Sequence, residues 1–200
     1  MARSETCSTP FSVLCREVPA GIDELQAQAL CELLPPWRRA YAERYRRPLD
    51  RWLCAEVWLL LQEGLHDRFG LTDTLEFVLS PAGKPSLARH PEIHFSLSHC
   101  AAACACIISA NGEVGIDVEC LQSFNEALAR RVLNETELAA VRQDSDPDAA
   151  FTAWWTRKES VIKLRGSGLT DDLPQLLPAP GVILETEMHG RYVLSTARFK

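Results

Sequence analysis

The sequence predicts an α+β fold made of two similar halves. Helical patterns fill the first third of the chain, short β-rich segments follow, and helix followed by strands occurs again after residue 125. Helices and strands that are segregated along a chain in this way are typical of α+β proteins. At 200 residues the chain is long enough to bury a substantial core, and its composition is that of a globular protein.

The first half begins with a short apolar segment at 11–18 and continues as helices. Residues 22–34 have helical spacing, and the proline pair at 35 and 36 ends that pattern. Residues 37–65 are predicted as a helix that is interrupted near Pro48, because proline lacks a backbone N–H and disfavours the helical conformation in the residue before it.

Strands are predicted next. The four β-rich segments are LEFVLS (75–80), IHFSLS (93–98), CACIIS (104–109) and GEVGIDVEC (112–120). The turn signals PAGKP and NGE separate some of them, which is typical of an antiparallel sheet.

The second half repeats this order. A helical zone at 125–141 and the acidic turn DSDPD lead to a long helix at 149–164, which GSG ends at 166–168. A strand pair, GVILETEM and RYVLSTARF, is joined by His189 and Gly190. We therefore expect an N-terminal lobe at 1–112 and a C-terminal lobe at 113–200.

Charge and hydropathy exclude several classes of protein. The net charge of −6 argues against a protein that binds nucleic acid with its whole surface. No apolar segment approaches the length of a membrane span, and the first residues do not form the apolar core of a secretion signal. We expect a cytoplasmic monomer that binds neither nucleic acid nor a membrane.

The eight cysteines are expected to be reduced, since no secretion signal is found. Cys100, Cys104 and Cys106 lie beside His99, but they lack a C-x-x-C pair or a second histidine at zinc-ligand spacing. The alternation of Cys104 and Cys106 in an apolar segment instead predicts a buried strand.

Two carboxylates project from the same face of the strand GIDVE. Alternation places Val114, Ile116 and Val118 on one face, and Asp117 and Glu119 on the other with Gly115. Like charges this close repel each other unless water screens them or a cation lies between them. The pair is therefore either the solvated face of an edge strand or part of a cation site.

The helix WWTRKESVIKLRG brings a third carboxylate. Glu159 lies one turn beyond Trp155 and borders the apolar face of the helix, and Lys163 lies one turn further. Glu159 either forms an i, i+4 ion pair with Lys163 or joins Asp117 and Glu119 around a metal ion. Three carboxylates without His or Cys favour Mg²⁺, and Lys163 and Lys158 are then available to phosphate oxygens.

Further segments fit a phosphate-bearing ligand. In FSLSH, Ser98 and His99 lie at a strand end, where they can donate hydrogen bonds to phosphate, and AGKP presents Lys84 on a glycine turn. A group of arginines forms either an anion site or a solvated helix face. These are Arg38, Arg39, Arg44, Arg46, Arg47 and Arg51. Among them, Arg51 is best placed to face a cleft.

Taken together, AGKP, FSLSH, GIDVE and WTRKESVIK resemble, in order and spacing, the signature of the 4'-phosphopantetheinyl transferases. The resemblance spans residues 46–169 and is to the longer, two-lobed surfactin-synthetase-activating type. It implies a pseudo-dimer of two α+β lobes, with the active site in the cleft between 1–112 and 113–200. It also implies transfer of phosphopantetheine from coenzyme A to a serine of an apo acyl or peptidyl carrier protein, which releases adenosine 3',5'-bisphosphate.

The resemblance also implies roles for single residues. Asp117, Glu119 and Glu159 would bind Mg²⁺, or alternatively Mn²⁺, together with the pyrophosphate of coenzyme A. Glu159 would also be the base for the carrier serine, and Lys163 would steady the pyrophosphate.

The positions that match coenzyme A contacts in the family are Ser98, His99, Lys84, Arg51 and, more loosely, Arg46. The alternative is a module of the same fold that binds coenzyme A or another nucleotide without transferring any group.

Overall fold

The computed structural model describes residues 10–72, 75–168 and 172–200. Its strands are β1 (Phe11–Glu17), β2 (Phe77–Leu79), β3 (Pro85–Leu87), β4 (His94–His99), β5 (Ala103–Ser109), β6 (Val114–Cys120), β7 (Val182–Met188) and β8 (Tyr192–Phe199). Its α-helices are α1 (Glu24–Glu32), α2 (Pro36–Ala42), α3 (Pro48–Phe69), α4 (Glu126–Val132), α5 (Glu135–Gln143) and α6 (Pro147–Arg165). A short 3₁₀ helix covers Leu173–Gln175.

Two three-stranded antiparallel sheets, each packed against helices, form the two lobes. The strand order is β1-β5-β4 in the first sheet and β6-β8-β7 in the second, and β2 and β3 pair with each other. The predicted α+β fold with two similar lobes is confirmed. The grouping of the predicted strands differs in two respects. Strand β2 pairs with β3 in a separate two-stranded sheet, and β6 belongs to the second lobe's sheet and not to that of β4 and β5.

The core of the first lobe lies between its helices and its sheet. Helix α3 packs on β5, and its buried residues include Trp58, Leu61 and Leu65. The predicted interruption near Pro48 is confirmed, since α2 ends at Ala42 and α3 begins at Pro48. Proline at the first helical position loses no hydrogen bond, because that N–H has no partner inside the helix.

A shared apolar core joins the two sheets. Val114, Ile116 and Val118 of β6 belong to one buried cluster with residues of β5 and β8. The predicted alternation along GIDVE is thus confirmed on its apolar face. Cys104 and Cys106 are fully buried free thiols, as expected of core residues.

Strands β4 and β6 meet through serine side chains rather than through a backbone ladder. The hydroxyl of Ser96 accepts a hydrogen bond from the backbone N–H of Ile116, and that of Ser98 accepts one from Val118, both at 3.2 Å. The alternating serines of FSLSH therefore accept hydrogen bonds from backbone N–H groups at the edge of β6. These hydrogen bonds join the two lobes. No helix in the described ranges is long and apolar enough to cross a membrane.

Candidate active site

Helix α6 lies directly on β6 because residue 115 is glycine. A Cβ atom at this position would lie 2.0 Å from the carbonyl oxygen of Ser160 and 2.5 Å from the backbone nitrogen of Leu164. Real Cβ atoms do not come this close to backbone atoms, so only glycine permits the contact. The close approach brings Glu159 and Lys163 of α6 to the face of β6 that carries Asp117 and Glu119.

Asp117 is the most deeply buried of the three predicted carboxylates, with 3% of its surface exposed. Its Oδ1 accepts hydrogen bonds from Lys163 Nζ at 2.8 Å and from Ser98 Oγ at 2.9 Å. Its Oδ2 is buried and has no hydrogen-bond partner among the described residues. A buried carboxylate oxygen without a partner is costly, so this atom marks where a ligand would stabilise the site.

Lys163 reaches across to the two strands and does not pair along its own helix. Besides Asp117, its Nζ contacts Ser98 Oγ at 2.9 Å and the carbonyl oxygen of Leu97 at 3.4 Å. Among the described residues, its ion pair is with Asp117 and not with Glu159. Of the two interpretations left open for Glu159, the simple i, i+4 bridge is therefore wrong.

The electrostatics show that the three carboxylates share one region. Desolvation and then the charge of Asp117 raise the pKa of Glu119 to about 7, and Glu159 contributes in the same direction. Desolvation and Asp117 also raise the pKa of Glu159, while Lys163 opposes the shift. The one positive charge of Lys163 thus does not neutralise the three carboxylates of Asp117, Glu119 and Glu159.

The donor set fits a hard divalent cation. Within the described ranges, no three His, Cys, Asp or Glu side chains are already gathered closely enough to enclose a metal ion. However, the unpartnered Oδ2 of Asp117 and the raised pKa values of Glu119 and Glu159 are the signs of a site that a cation would stabilise. All the donors are carboxylate oxygens, which Mg²⁺ and Mn²⁺ bind.

A cleft of about 250 Å³ opens beside these residues, between the turn after β2, strand β4 and helix α6. Lys163, Leu97, Gly83, Lys84 and Gly166 are among the residues that line it. Lys84 pairs with Glu113, and its Nζ also donates to the carbonyl oxygens of Val114 and Leu164. The stem of Lys84 therefore forms the cleft wall, while its charged end holds the turn against β6 and α6.

Comparison with known proteins shows the family of this chain. The family model for the 4'-phosphopantetheinyl transferase superfamily matches residues 113–192, which contain all three carboxylates and Lys163. The chain is 31% identical over 158 residues to the 4'-phosphopantetheinyl transferase psf-1 of Bacillus pumilus. The matched residues make up 74% of this chain and 66% of that protein. The chain belongs to the 4'-phosphopantetheinyl transferase superfamily.

Other members of the superfamily are similar to the same extent. The transferase AcpT of Escherichia coli O157:H7 is 32% identical over 138 residues, which are 66% of each chain. A 4'-phosphopantetheinyl transferase of Bacillus subtilis is 28% identical over 152 residues, which are 74% of this chain and 65% of that one. This chain spans slightly less than two thirds of the length of these relatives.

In this superfamily member, Ser98 orients a carboxylate, which corrects its predicted role as a phosphate contact. Its hydroxyl donates its one proton to Asp117 and accepts from Lys163 and from the backbone of Val118. A hydroxyl has one donor and two acceptor positions, so all of them are used within the protein.

Lys158 is also corrected. It is 0% exposed and forms an ion pair with Glu137 of α5 at 2.8 Å, and its Nζ donates to the carbonyl oxygen of Leu173. Because it lies about 100° around the helix from Glu159, it points into the second lobe and is not available to phosphate in the cleft. Its role is to join α6 to α5 inside the lobe.

Arg51 does not face the cleft, which corrects its predicted position. Its guanidinium pairs with Glu24 of α1 and donates to the carbonyl oxygens of Tyr45 and Arg46. These contacts hold the loop between α2 and α3, on the side of α3 that faces α1. The side chain of Arg46 lies exposed on that loop, so its predicted contact with coenzyme A stays a prediction.

A methionine substitution distinguishes the two roles of Arg51. We expect Arg51→Met to lower the free energy of unfolding by about 1 kcal/mol, because two backbone acceptors and Glu24 lose their donor. The dissociation constant for coenzyme A should stay within about twofold. Urea unfolding and calorimetric titration measure both, with Arg131→Met of α4 as the exposed control. Unchanged stability with clearly weaker coenzyme A binding would contradict the structural role.

His99 ends β4, and Arg38 of α2 is one of the charges that act on it. His99 is an exposed residue, but its imidazole lies close enough to the protein that desolvation, and then the charge of Lys163, lower its pKa, with a smaller contribution from Arg38. Arg38 lies over the rings of Tyr41 and Trp58, and its Nε is buried without a partner in the described structure. Arg38 was not singled out by sequence reasoning, since its spacing does not distinguish it from its neighbouring arginines.

Proposed function

We propose that the protein transfers the 4'-phosphopantetheine group of coenzyme A to a serine hydroxyl of an apo acyl or peptidyl carrier protein. The products are the holo carrier protein and adenosine 3',5'-bisphosphate. The observation that supports this most directly is the partnerless, buried Oδ2 of Asp117, which lies with Glu119, Glu159 and Lys163 beside an open cleft. Membership of the transferase superfamily supports the same reaction.

Asp117, Glu119 and Glu159 are the proposed ligands of Mg²⁺. When bound, the cation would neutralise oxygens of the coenzyme A pyrophosphate and make the phosphorus more electrophilic. Mn²⁺ has the same preference for oxygen and is the alternative.

Glu159 is the proposed general base. Without a cation, desolvation and then Asp117 raise the pKa of Glu159, and a bound cation would oppose this shift, so the proposed role rests on the place of the carboxylate beside Asp117 and Lys163. Lys163 lines the cleft, and its three N–H groups already contact Asp117, Ser98 and the carbonyl oxygen of Leu97, so it would act on the pyrophosphate through its positive charge. We propose that it steadies the pyrophosphate and the negative charge on the leaving group.

The two lobes are proposed to divide at residues 112 and 113, with coenzyme A in the cleft between them. Gly112 has a φ of 115° and lies in the turn from β5 to β6, which supports this boundary. His99, an exposed residue that ends β4, is the proposed contact for phosphate groups of coenzyme A. The site is complete within one chain in this proposal, and we expect a monomer.

The experiment is a panel of apo acyl and peptidyl carrier proteins incubated with the purified protein, coenzyme A and Mg²⁺. We expect mass spectrometry to show one added phosphopantetheine group on at least one carrier, and none on a carrier whose acceptor serine is replaced by alanine. Excess EDTA should abolish transfer, and added Mg²⁺ should restore it. Binding of coenzyme A without any modified carrier would instead support the module that does not transfer a group.

A further inference from the structure

A second cavity lies on the opposite side of α6 from the coenzyme A cleft. Its volume is about 650 Å³, within the range typical of small-molecule sites. Its apolar wall includes Leu177, Val182 and Leu184, and Trp154 and Arg157 of α6 also line it. None of the residues proposed for transfer belongs to this cavity, so a ligand site here is independent of the proposed function.

The guanidinium of Arg157 is fixed through its Nε atom and through packing on Trp154. Its Nε donates to Thr186 Oγ1 at 2.9 Å, and the group lies 5.3 Å from the ring centre of Trp154. Thr186 is in turn linked to Ser195 Oγ at 3.0 Å, and Ser195 to Thr156 Oγ1 at 2.8 Å. These linked hydroxyl groups orient the guanidinium through its Nε. Its two terminal nitrogens have no hydrogen-bond acceptor among the described residues and are left for a ligand.

The positive charge of Arg157 has no carboxylate partner among the described residues. Glu137 also lines the cavity, but it is already paired with Lys158 at 2.8 Å. On β7, the carboxylate of Glu185 pairs with Arg198. Desolvation lowers the pKa of Arg157, as expected for a half-buried cation without a counterion.

We propose that this cavity binds an amphipathic monocarboxylate. The carboxylate accepts two parallel hydrogen bonds from the terminal nitrogens of Arg157, a geometry that guanidinium and carboxylate share. The alkyl chain lies against Leu177, Val182 and Leu184 and loses its contact with water. A cation fixed at one edge of an apolar wall selects for a ligand with one anionic end and one apolar end.

The test uses octanoate as the probe, titrated into the full chain and followed by calorimetry. Octylamine and octanol have the same number of carbon atoms as octanoate but no carboxylate, and they serve as ligand controls. We expect saturable binding of octanoate alone, weakened at least about tenfold by Arg157→Met and less by Arg157→Lys, which keeps the charge but not the forked donor. Arg131→Met removes an exposed arginine of α4 and should bind octanoate like the parent chain.

A second measurement follows octanoate binding in the parent chain and uses a variant only to assign one resonance. In the parent chain, octanoate should shift the indole N–H resonance of Trp154, assigned by its loss in Trp154→Phe, more than those of the other tryptophans. Equal binding by Arg157→Met and the parent chain would overturn the proposal. So would equal affinity for octylamine, the absence of saturable octanoate binding, or an unshifted Trp154 resonance.

Discussion

Glu159→Gln is expected to reduce kcat/KM for phosphopantetheine transfer by at least about 100-fold, the smallest effect typical of losing a general base. The amide can neither accept the serine proton nor contribute a negatively charged oxygen to the cation. Coenzyme A should still bind, because the cleft walls and the residues at the end of β4 are unchanged. The carrier-modification assay and calorimetry measure the two effects separately.

The melting temperature of Glu159→Gln shows whether a loss of activity comes from unfolding. Repulsion from Asp117 and desolvation both disfavour the charged form of Glu159, so the neutral amide should not lower the melting temperature. Glu135→Gln changes an exposed carboxylate of α5 and should leave transfer unchanged. Full activity in Glu159→Gln would remove Glu159 from both the chemistry and the proposed cation site.

Gly115→Ala is expected to lower the free energy of unfolding by about 3 kcal/mol, near the upper end of what overpacking usually costs. The added Cβ would lie 2.0 Å from the carbonyl oxygen of Ser160, which belongs to the backbone of α6 and not to a flexible side chain. The helix must therefore move away from β6, and transfer should fall with it because Glu159 and Lys163 move too. Denaturant unfolding and the transfer assay measure the two consequences.

Gly190 provides the matched control for this substitution. A Cβ at that position meets no atom within 4 Å, and its φ lies outside the left-handed region. Gly190→Ala should therefore change neither stability nor transfer appreciably. If Gly115→Ala unfolded at the same denaturant concentration as the parent chain, the close packing of α6 on β6 would be wrong.

Periodicity alone predicted the elements that carry the site. The alternation in GIDVE placed Asp117 and Glu119 together on the face opposite Val118, and helical spacing placed Glu159 and Lys163 one turn apart. Both patterns are local, because they follow from the repeat of a strand and of a helix. The proposed site thus depends mainly on side-chain directions that the chain specifies within a few residues.

The partners of the charged residues could not be predicted in the same way. Lys158 and Lys163 lie on one helix, yet one is buried against Glu137 of α5 and the other contacts Asp117 of β6. Ser98 similarly faces Asp117 and is not among the residues that line the cleft. Each of these contacts joins segments far apart in the chain, so no local spacing reveals it.

The sequence by itself therefore determined the α+β class, the strand that carries two carboxylates and the helix that carries the third. Only the tertiary structure decided that Arg51 stabilises a loop, that Arg38 packs over the rings of Tyr41 and Trp58, and that Arg157 faces a separate cavity. The physical reason is the distance along the chain over which each interaction acts. Backbone periodicity acts over a few residues, whereas the charge that a long side chain meets depends on which distant elements pack beside it.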